Sequence, residues 1–384
     1  MKDIRQINNP CNDDKVIDAC SIFGAMDTSG KSFSGEGVIR AIANMHDRSN
    51  GLGGGFAIYG LYPAHADSYA LHVMHLSRKG QQETASFLQE NFNLVNQEEV
   101  PTRPSPRIIN PPTVRRYFID IGRHLPEKQS EDDYVVEKVM TINTQLGDSF
   151  VFSSGKNMAV FKGVGYPEEI ADYFCLDQYT GYLWTAHGRF PTNTPGWWGG
   201  AHPFCILDWT VVHNGEISSY GTNRRFLEQY GYHCVMQTDT EVVAYAVDLL
   251  MRRHNLPLAM VAKILAPPFW DDIDRMPANE QKISRALRQV YGSLLLNGPF
   301  AVIIAHHGEM IGLTDRIRLR PLTVGEKCDM LYLSSEESAI RLICPDLDRT
   351  WTPVGGEPII GKLKTSSPTE KVTGRRKIKA GEKL

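Results

Sequence analysis

The first apolar run of this 384-residue chain opens on a cysteine, in Ala19-Cys20-Ser21-Ile22-Phe23-Gly24-Ala25, behind nineteen mostly polar residues. The run reads as a strand over 20–26 that begins with a nucleophile. If the leader is detached, Cys20 becomes a new N-terminus with its own base, because a free α-amine has a pKa of roughly 7.7–8. That amine can take the proton of its own thiol, directly or through one water, and leave a reactive thiolate. The leader carries Asp3, Arg5, Asp13, Asp14, Lys15 and Asp18, so it lacks the apolar core of a signal peptide. Residues 1–19 are therefore expected to be a propeptide.

A hydrophobic fraction of 42% with 22% charged residues is ordinary for a soluble globular chain. A net charge of −3 gives no case for nucleic acid or an anionic membrane as partner. No stretch approaches the ~20 apolar residues of a membrane span. The seven cysteines, at 11, 20, 175, 205, 234, 328 and 344, are odd in number and form no CxxC pair. This argues against a disulfide scaffold and against a zinc or iron–sulfur site within the chain, so no metal is expected and a reducing cytoplasm is the expected setting.

Four stretches follow from the pattern of apolar residues, glycines and prolines. After the leader, a strand over 20–26, a helix near 36–46 and a strand over 53–59 are expected. Residues 61–180 are harder to read: a helix over 77–91, a proline-studded run over 101–112, and an alternating stretch over 150–165 that predicts a hairpin around Ser153-Ser154-Gly155-Lys156-Asn157. Clear signals resume over 181–361. Strands are expected at 183–187, 209–213, 301–306, 310–314 and 330–334, and helices at 223–229, 241–253 and 278–291. The last stretch, 362–384, is rich in Lys and Arg and is expected to be a flexible tail. Strands and helices mix without the regular βαβα spacing of a doubly wound sheet.

Three motifs in the later part each have a structural and a chemical reading. In Val212-His213-Asn214-Gly215-Glu216-Ile217, Asn-Gly after an apolar run predicts a tight hairpin turn. The same geometry also lets the Asn214 amide and the Gly215 N–H face one developing oxyanion. In Ala186-His187-Gly188-Arg189-Phe190-Pro191-Thr192, a strand end delivers an arginine. Arg189 is either a surface ion-pair partner or, with the Thr192 hydroxyl, a grip on a carboxylate. In Gln237-Thr238-Asp239-Thr240-Glu241-Val242, Thr238 or Asp239 caps a helix, and Asp239 is also suited to accept hydrogen bonds from an ammonium. Nucleophile, oxyanion donors, carboxylate grip and ammonium acceptor together imply an α-amino acid with a carboxamide side chain, glutamine or asparagine. His187 and His213 are expected to be structural.

These motifs resemble the class II, N-terminal nucleophile, glutamine amidotransferases, and most of all the glutaminase domain of glutamate synthase. Cys20-Ser21-Ile22 matches the family's processed cysteine, with Ser21 in place of its usual glycine. Met45-His46-Asp47-Arg48-Ser49-Asn50-Gly51 loosely echoes its His-Arg-Gly signature, which Asp47 interrupts. His187 to Thr192, His213 to Ile217 and Thr238 to Glu241 match three further segments. Arg189 to Thr194 and Ala201-His202-Pro203-Phe204 are similar to glutamate synthases in particular. Leu313 to Leu322 and Ser334-Ser335-Glu336-Glu337 resemble later family stretches. The resemblance covers about 20–60 and 181–361 and leaves 61–180 unmatched as an insert of uncertain role.

What the resemblance implies is an α+β, four-layer αββα sandwich of two antiparallel sheets, with the amidotransferase domain over 20–361. Cys20 would be the nucleophile, and Asn214 with the Gly215 N–H the oxyanion hole. Arg189 and Thr192 would hold the glutamine α-carboxylate and Asp239 its α-ammonium. The chain itself is expected to carry no cofactor. FMN and an iron–sulfur cluster are expected only on a partner synthase subunit that receives the ammonia. Other readings compatible with the sequence are a glutaminase subunit of an N-methylglutamate-forming complex, a hydrolase of another amide, and a regulatory subunit that binds glutamine without cleaving it.

Overall fold

The structure is a computed structural model that describes residues 20–191 and 196–364, with the side chain of residue 123 excepted. The expected propeptide over 1–19, the candidate Thr192 and the tail from 365 onward lie outside the described residues.

The chain begins with β1 (Ser21–Asp27), β2 (Phe33–Ser34), α1 (Glu36–Ala43) and β3 (Gly54–Tyr59). It continues through β4 (Tyr69–His75), α2 (Arg78–Asn91), β5 (Asn93–Glu99), β6 (Thr113–Asp120), α3 (Glu131–Gln145) and β7 (Ser149–Ser153). Next come β8 (Met158–Gly163), α4 (Pro167–Tyr173), β9 (Thr180–Gly181), β10 (Leu183–Gly188), β11 (Phe204–Ile206) and β12 (Trp209–Gly215). Helices α5 (Tyr220–Glu228), α6 (Asp239–Val247), α7 (Leu258–Leu265), α8 (Trp270–Arg275) and α9 (Ala278–Val290) follow. The last elements are β13 (Phe300–His306), β14 (Glu309–Thr314), β15 (Thr323–Lys327), β16 (Met330–Ser334), α10 (Glu337–Ile343), β17 (Arg349–Trp351) and β18 (Ile359–Lys362).

Two antiparallel sheets face each other. One has the order β17-β15-β16-β1-β10-β3-β8 and the other β11-β12-β13-β14-β18. Helices α1, α4 and α10 cover the outer face of the seven-stranded sheet, and α6 packs on β11 and β12 of the other. The result is the expected four-layer αββα sandwich. Strands covered on both faces read as unbroken apolar runs rather than alternations, which is why β1 and β3 are buried along their whole length. The sheets approach closely at Gly24, where a Cβ would stand 2.8 Å from the Met310 sulfur. Tyr59 ties them together: its hydroxyl bonds to Thr210 Oγ1 and to the carbonyls of Asp208 and Ala305 at 2.7–2.8 Å.

The stretch 61–180 divides in two. Elements β4 to β7 form a separate four-stranded antiparallel sheet of order β5-β6-β4-β7, with α2 and α3 packed on it. This βαββαβ sequence and strand order are those of a ferredoxin-like module. Its other face lies on the sandwich, where His72 Nδ1 meets the Val160 carbonyl of β8 at 3.0 Å. Strand β8 and helix α4, by contrast, belong to the main sandwich.

Three expectations are corrected. The alternating stretch over 150–165 is two strands but not a hairpin: β7 pairs with β4, whereas β8 pairs with β3 in the large sheet. Alternation marks a strand without naming its partner, and the turn after Ser153 carries the chain from one sheet to the other. Asn214-Gly215 is not a turn either. Both residues lie inside β12, paired with Ala301 and Phe300 of β13, and that partner lies 85 residues downstream. The first residues of the expected tail are structured, since Lys362 ends β18 and the backbone N–H groups of Leu363 and Lys364 bond to the Gly308 and Thr28 carbonyls.

Candidate active site

The antiparallel pairing of β1 with β10 sets Ser21 opposite Gly188, so the residue before one strand and the residue after the other, Cys20 and Arg189, become neighbours. The Phe190 backbone N–H donates to the Cys20 sulfur at 3.3 Å. Arg189 is anchored by its main chain: its N–H donates to Gly53 O at 2.8 Å, and its carbonyl accepts from Ser49 Oγ at 3.1 Å. It is 5% exposed, which removes the surface ion-pair reading.

The second sheet contributes from β12. Asn214 is fully buried, and its Nδ2 donates to Ser335 Oγ at 3.4 Å. That hydroxyl also accepts from the Ile22 N–H at 3.1 Å, and the Ser335 N–H donates to the Ile22 carbonyl at 3.0 Å. Ser335 thus links Asn214 to the strand that Cys20 begins. Gly215 has φ +153°, and a Cβ there would stand 2.0 Å from the Pro299 carbonyl oxygen. Only glycine fits that position.

Asp239 starts α6, with Thr238 as the N-cap accepting from the Glu241 N–H at 3.4 Å. Of the two residues weighed as caps, Thr238 is the one that caps. That leaves the Asp239 carboxylate to accept from the Ile217 N–H at 2.9 Å, beside His213 Nδ1 at 3.6 Å. Helix α6 lies against β12, so the Asp239 turn is carried beside the Asn214 end of the strand.

The electrostatics are coupled. Burial pushes the Cys20 thiol up, and Asp239 adds to this, while the Phe190 N–H, Arg189 and Arg320 favour the thiolate. Burial lowers Arg189, opposed by Cys20 and Asp239. Burial alone would raise Asp239, but His213, the Ile217 N–H and Thr240 outweigh it and hold the carboxyl below its ordinary range. A thiol, a guanidinium and a carboxylate thus lie within electrostatic reach of one another at one end of the sandwich, with a carboxamide tied to the same strand through Ser335. His187 and His213 serve the interior: His187 Nε2 meets the His213 carbonyl at 2.9 Å, His187 stacks on His202 at 4.0 Å, and His213 Nδ1 meets Thr240 Oγ1 at 3.1 Å.

Several site residues escaped the chemical reading of the sequence. Arg48 donates from Nε to the Cys20 carbonyl at 3.4 Å and from Nη1 to Glu336 at 2.9 Å. Ser335, Glu336, Arg48 and Arg320 all lie in segments matched only by resemblance, and nothing in their local chemistry set them apart. Lys162, which is almost fully buried nearby, gave no signal at all. Among the described residues, no group of three or more His, Cys, Asp or Glu could hold a metal ion, and no helix is long and apolar enough to cross a membrane.

An uncharacterized protein from Archaeoglobus fulgidus is 60% identical over 356 residues, covering 92% of this chain and 94% of that protein. A protein of Methanothermobacter thermautotrophicus that carries the provisional name glutamine amidotransferase is 25% identical over 327 residues, 84% of this chain and 93% of its own length. The glutamine–fructose-6-phosphate aminotransferase of Vibrio vulnificus is 28% identical over 192 residues, which is 50% of this chain but 27% of that enzyme. The family model for class-II glutamine amidotransferases matches residues 64–347, running through the stretch that the motif resemblance left unmatched. With most of its length inside that match, this chain belongs to the class-II glutamine amidotransferases.

Proposed function

We propose that the chain hydrolyses glutamine to glutamate and ammonia, with Cys20 as an N-terminal nucleophile exposed by removal of residues 1–19. The observation that carries this reading is the Phe190 N–H donating to the Cys20 sulfur where β1 and β10 meet, with Arg189 the residue before Phe190 and Asp239 within electrostatic reach. Arg189 and Asp239 suit the α-carboxylate and α-ammonium of a free amino acid, with Thr192 as an additional hydroxyl for the carboxylate. The carboxamide carbon is then presented to the sulfur.

The freed α-amine of Cys20 takes the thiol proton, and the thiolate adds to the carboxamide carbon. The oxyanion so formed is stabilised by Asn214 Nδ2 and the Gly215 N–H. The α-ammonium returns its proton to the departing nitrogen, the C–N bond breaks, and ammonia leaves a thioester on Cys20. Water then attacks the thioester, giving glutamate and restoring the thiol. The sequence is redox-neutral and needs no cofactor on this chain.

Ammonia made here would be passed to an acceptor-binding partner. We place that partner in the glutamate synthase class, where FMN and an iron–sulfur cluster would reside, because of Arg189 to Thr194 and Ala201 to Phe204. The test is the intact mass of the purified protein before and after 6-diazo-5-oxo-norleucine, a glutamine-shaped electrophile, together with ammonia release from glutamine. Loss of residues 1–19, one adduct on Cys20 and glutamine-dependent ammonia are expected. A full-length, unlabelled protein that binds glutamine without cleaving it would overturn the hydrolase reading in favour of a regulatory subunit. Copurification with a subunit that lacks a synthase centre would overturn the choice of partner.

A further inference from the structure

Lys162 lies on β8 opposite Gly55, is 1% exposed, and is not part of any motif used above. Its ammonium donates to the Gly199 carbonyl at 2.9 Å, contacts Met236 Sδ at 3.9 Å and lies 4.2 Å from the centre of the Phe204 ring. These partners belong to two different segments. Gly199 lies in the loop that walls Arg189: a Cβ on the next residue, Gly200, would stand 3.0 Å from Arg189 Nη1. Met236 lies in the turn that leads into Asp239.

That turn is also held by Glu241. This carboxylate is fully buried and accepts from the N–H groups of Val235 at 3.2 Å and Met236 at 3.0 Å, and from the Tyr245 hydroxyl at 3.0 Å. Burial drives Lys162 down to about 7, with Glu241 and Cys205 opposing and Arg189 adding to the shift, while burial drives Glu241 up to about 7. Burying an ammonium is costly unless a partner and hydrogen bonds compensate for the lost water. An apolar side chain of the same length would fill this volume without that cost, so packing alone does not account for a lysine here.

We propose that Lys162 is a positioning residue for substrate recognition, joining the Gly199 loop to the Met236–Glu241 turn and so fixing the spacing between Arg189 and Asp239. The inference rests on the glutamine reading above. The α-carboxylate and α-ammonium of an amino acid sit on one carbon, so the groups that grip them have little latitude. A misplacement of about 1 Å can cost on the order of 10²-fold in rate. Lys162 touches neither the sulfur nor the reacting carbon, so its loss falls on recognition before chemistry.

The test uses the processed full chain with Lys162→Met, which keeps length and removes donor and charge, and Lys162→Gln, which keeps a donor. Each is compared with wild type for glutamine hydrolysis, for Cys20 labelling by 6-diazo-5-oxo-norleucine and by iodoacetamide, and for thermal melting. For Lys162→Met the expected result is a KM raised at least about tenfold with kcat within about threefold. Labelling by the glutamine-shaped reagent should fall about tenfold or more while iodoacetamide labelling stays within about twofold, because the small reagent needs neither grip. Lys162→Gln is expected to recover part of the loss. Unchanged KM, equal slowing of both reagents, or failure of both variants to fold would overturn the inference, the last by showing that Lys162 serves folding instead. A wild-type protein that neither hydrolyses glutamine nor reacts with the diazo reagent overturns the proposed function itself, which separates the two failures.

Discussion

Phe190 donates its backbone N–H to the Cys20 sulfur at 3.3 Å, and Phe190 directly follows Arg189 in sequence. The candidate nucleophile's sulfur is thereby held by the backbone next to the candidate carboxylate grip. A hydrogen bond aimed at sulfur favours the charged form, and so do Arg189 and Arg320, but burial wins and holds the thiol above its ordinary value near 9.

The first prediction follows from that balance. In a chain that keeps its leader, Cys20 is mostly thiol at neutral pH, and iodoacetamide labelling rises only as pH passes above about 9. Arg189→Met removes a neighbouring cation and moves the profile further up. Leader removal supplies the α-amine, so the processed protein should label at least about tenfold faster at pH 7.5. Cys20→Ala should abolish glutamine hydrolysis and keep the melting temperature, since among the described residues its sulfur accepts a single hydrogen bond, from the Phe190 N–H. Equal labelling of processed and unprocessed protein would exclude the α-amine as base.

Asn214 and Gly215 separate electrostatic from steric effects at adjacent positions. Asn214→Ala removes the proposed oxyanion donor and should lower kcat by about 10²–10³ with little change in KM. Gly215→Ala instead drives a methyl group into the Pro299 carbonyl at 2.0 Å, on a backbone with φ +153°. It should destabilise the fold by about 1–3 kcal/mol or more, read as a fall in melting temperature along with lost activity. A Gly215→Ala protein with wild-type melting would show that β12 and β13 can part there.

Arg189 and Asp239 are expected to act on recognition. Arg189→Lys keeps the charge but loses the two-pronged grip, and Asp239→Asn keeps an acceptor for the Ile217 N–H while removing the charge. Each should lower kcat/KM by about 10²-fold or more, Asp239→Asn by leaving the substrate ammonium without its counter-charge and Arg189→Lys by leaving a carboxylate oxygen without its hydrogen bond. Iodoacetamide labelling of Cys20 should remain, so a loss of labelling equal to the loss of activity would count against the substrate-grip roles.

How much of this could be read from the sequence depended on whether the chemistry was local. The strand after Cys20 and the five strands and three helices expected within 181–361 appeared within a few residues of their bounds, because continuous burial and apolar periodicity are local properties, whereas the short elements β11, α7, α8, β15, α10, β17 and β18 were not foreseen. Arg189, Asn214 and Asp239 were picked out because each sits at a strand or helix end, where a side chain is delivered rather than packed. The partnering of strands was not local. Asn214-Gly215 carries the residues of a turn but is held as a strand by pairing with β13, and β7 and β8 alternate alike while lying in different sheets. Ser335 is 121 residues from Asn214, and Lys162 is 79 residues from Glu241, so only the folded chain brings each pair together. The βαββαβ order of β4 to β7 was likewise hidden by the proline-rich run over 101–112 between β5 and β6.

The histidines of the interior predict an acid limit for the fold. Burial lowers His187 to about 3, against the hydrogen bond to the His213 carbonyl and aided by Arg189, and lowers His72 to about 3 with help from Arg116. Burial takes His75 down to about 4, with Arg115 adding to it, and depresses His202 well below its ordinary value. Each is neutral in the folded protein while the same residue in the unfolded chain protonates near 6.5. Their stabilisation is therefore fully present above pH 6.5 and is lost as pH falls toward the folded values. Below 6.5 each contributes a loss of about 1 kcal/mol per pH unit. Glu241 works against them, since its raised carboxyl gives the folded state a proton that the unfolded chain does not bind between about 7 and 4.5. Four histidines outweigh that one carboxyl, so the melting temperature should fall steeply from pH 6.5 to pH 5. His187→Gln should flatten the fall by the share of one proton. A melting temperature that stays level across this interval would mean that these rings find proton acceptors, and hence that the interior around them is wetter than their burial implies.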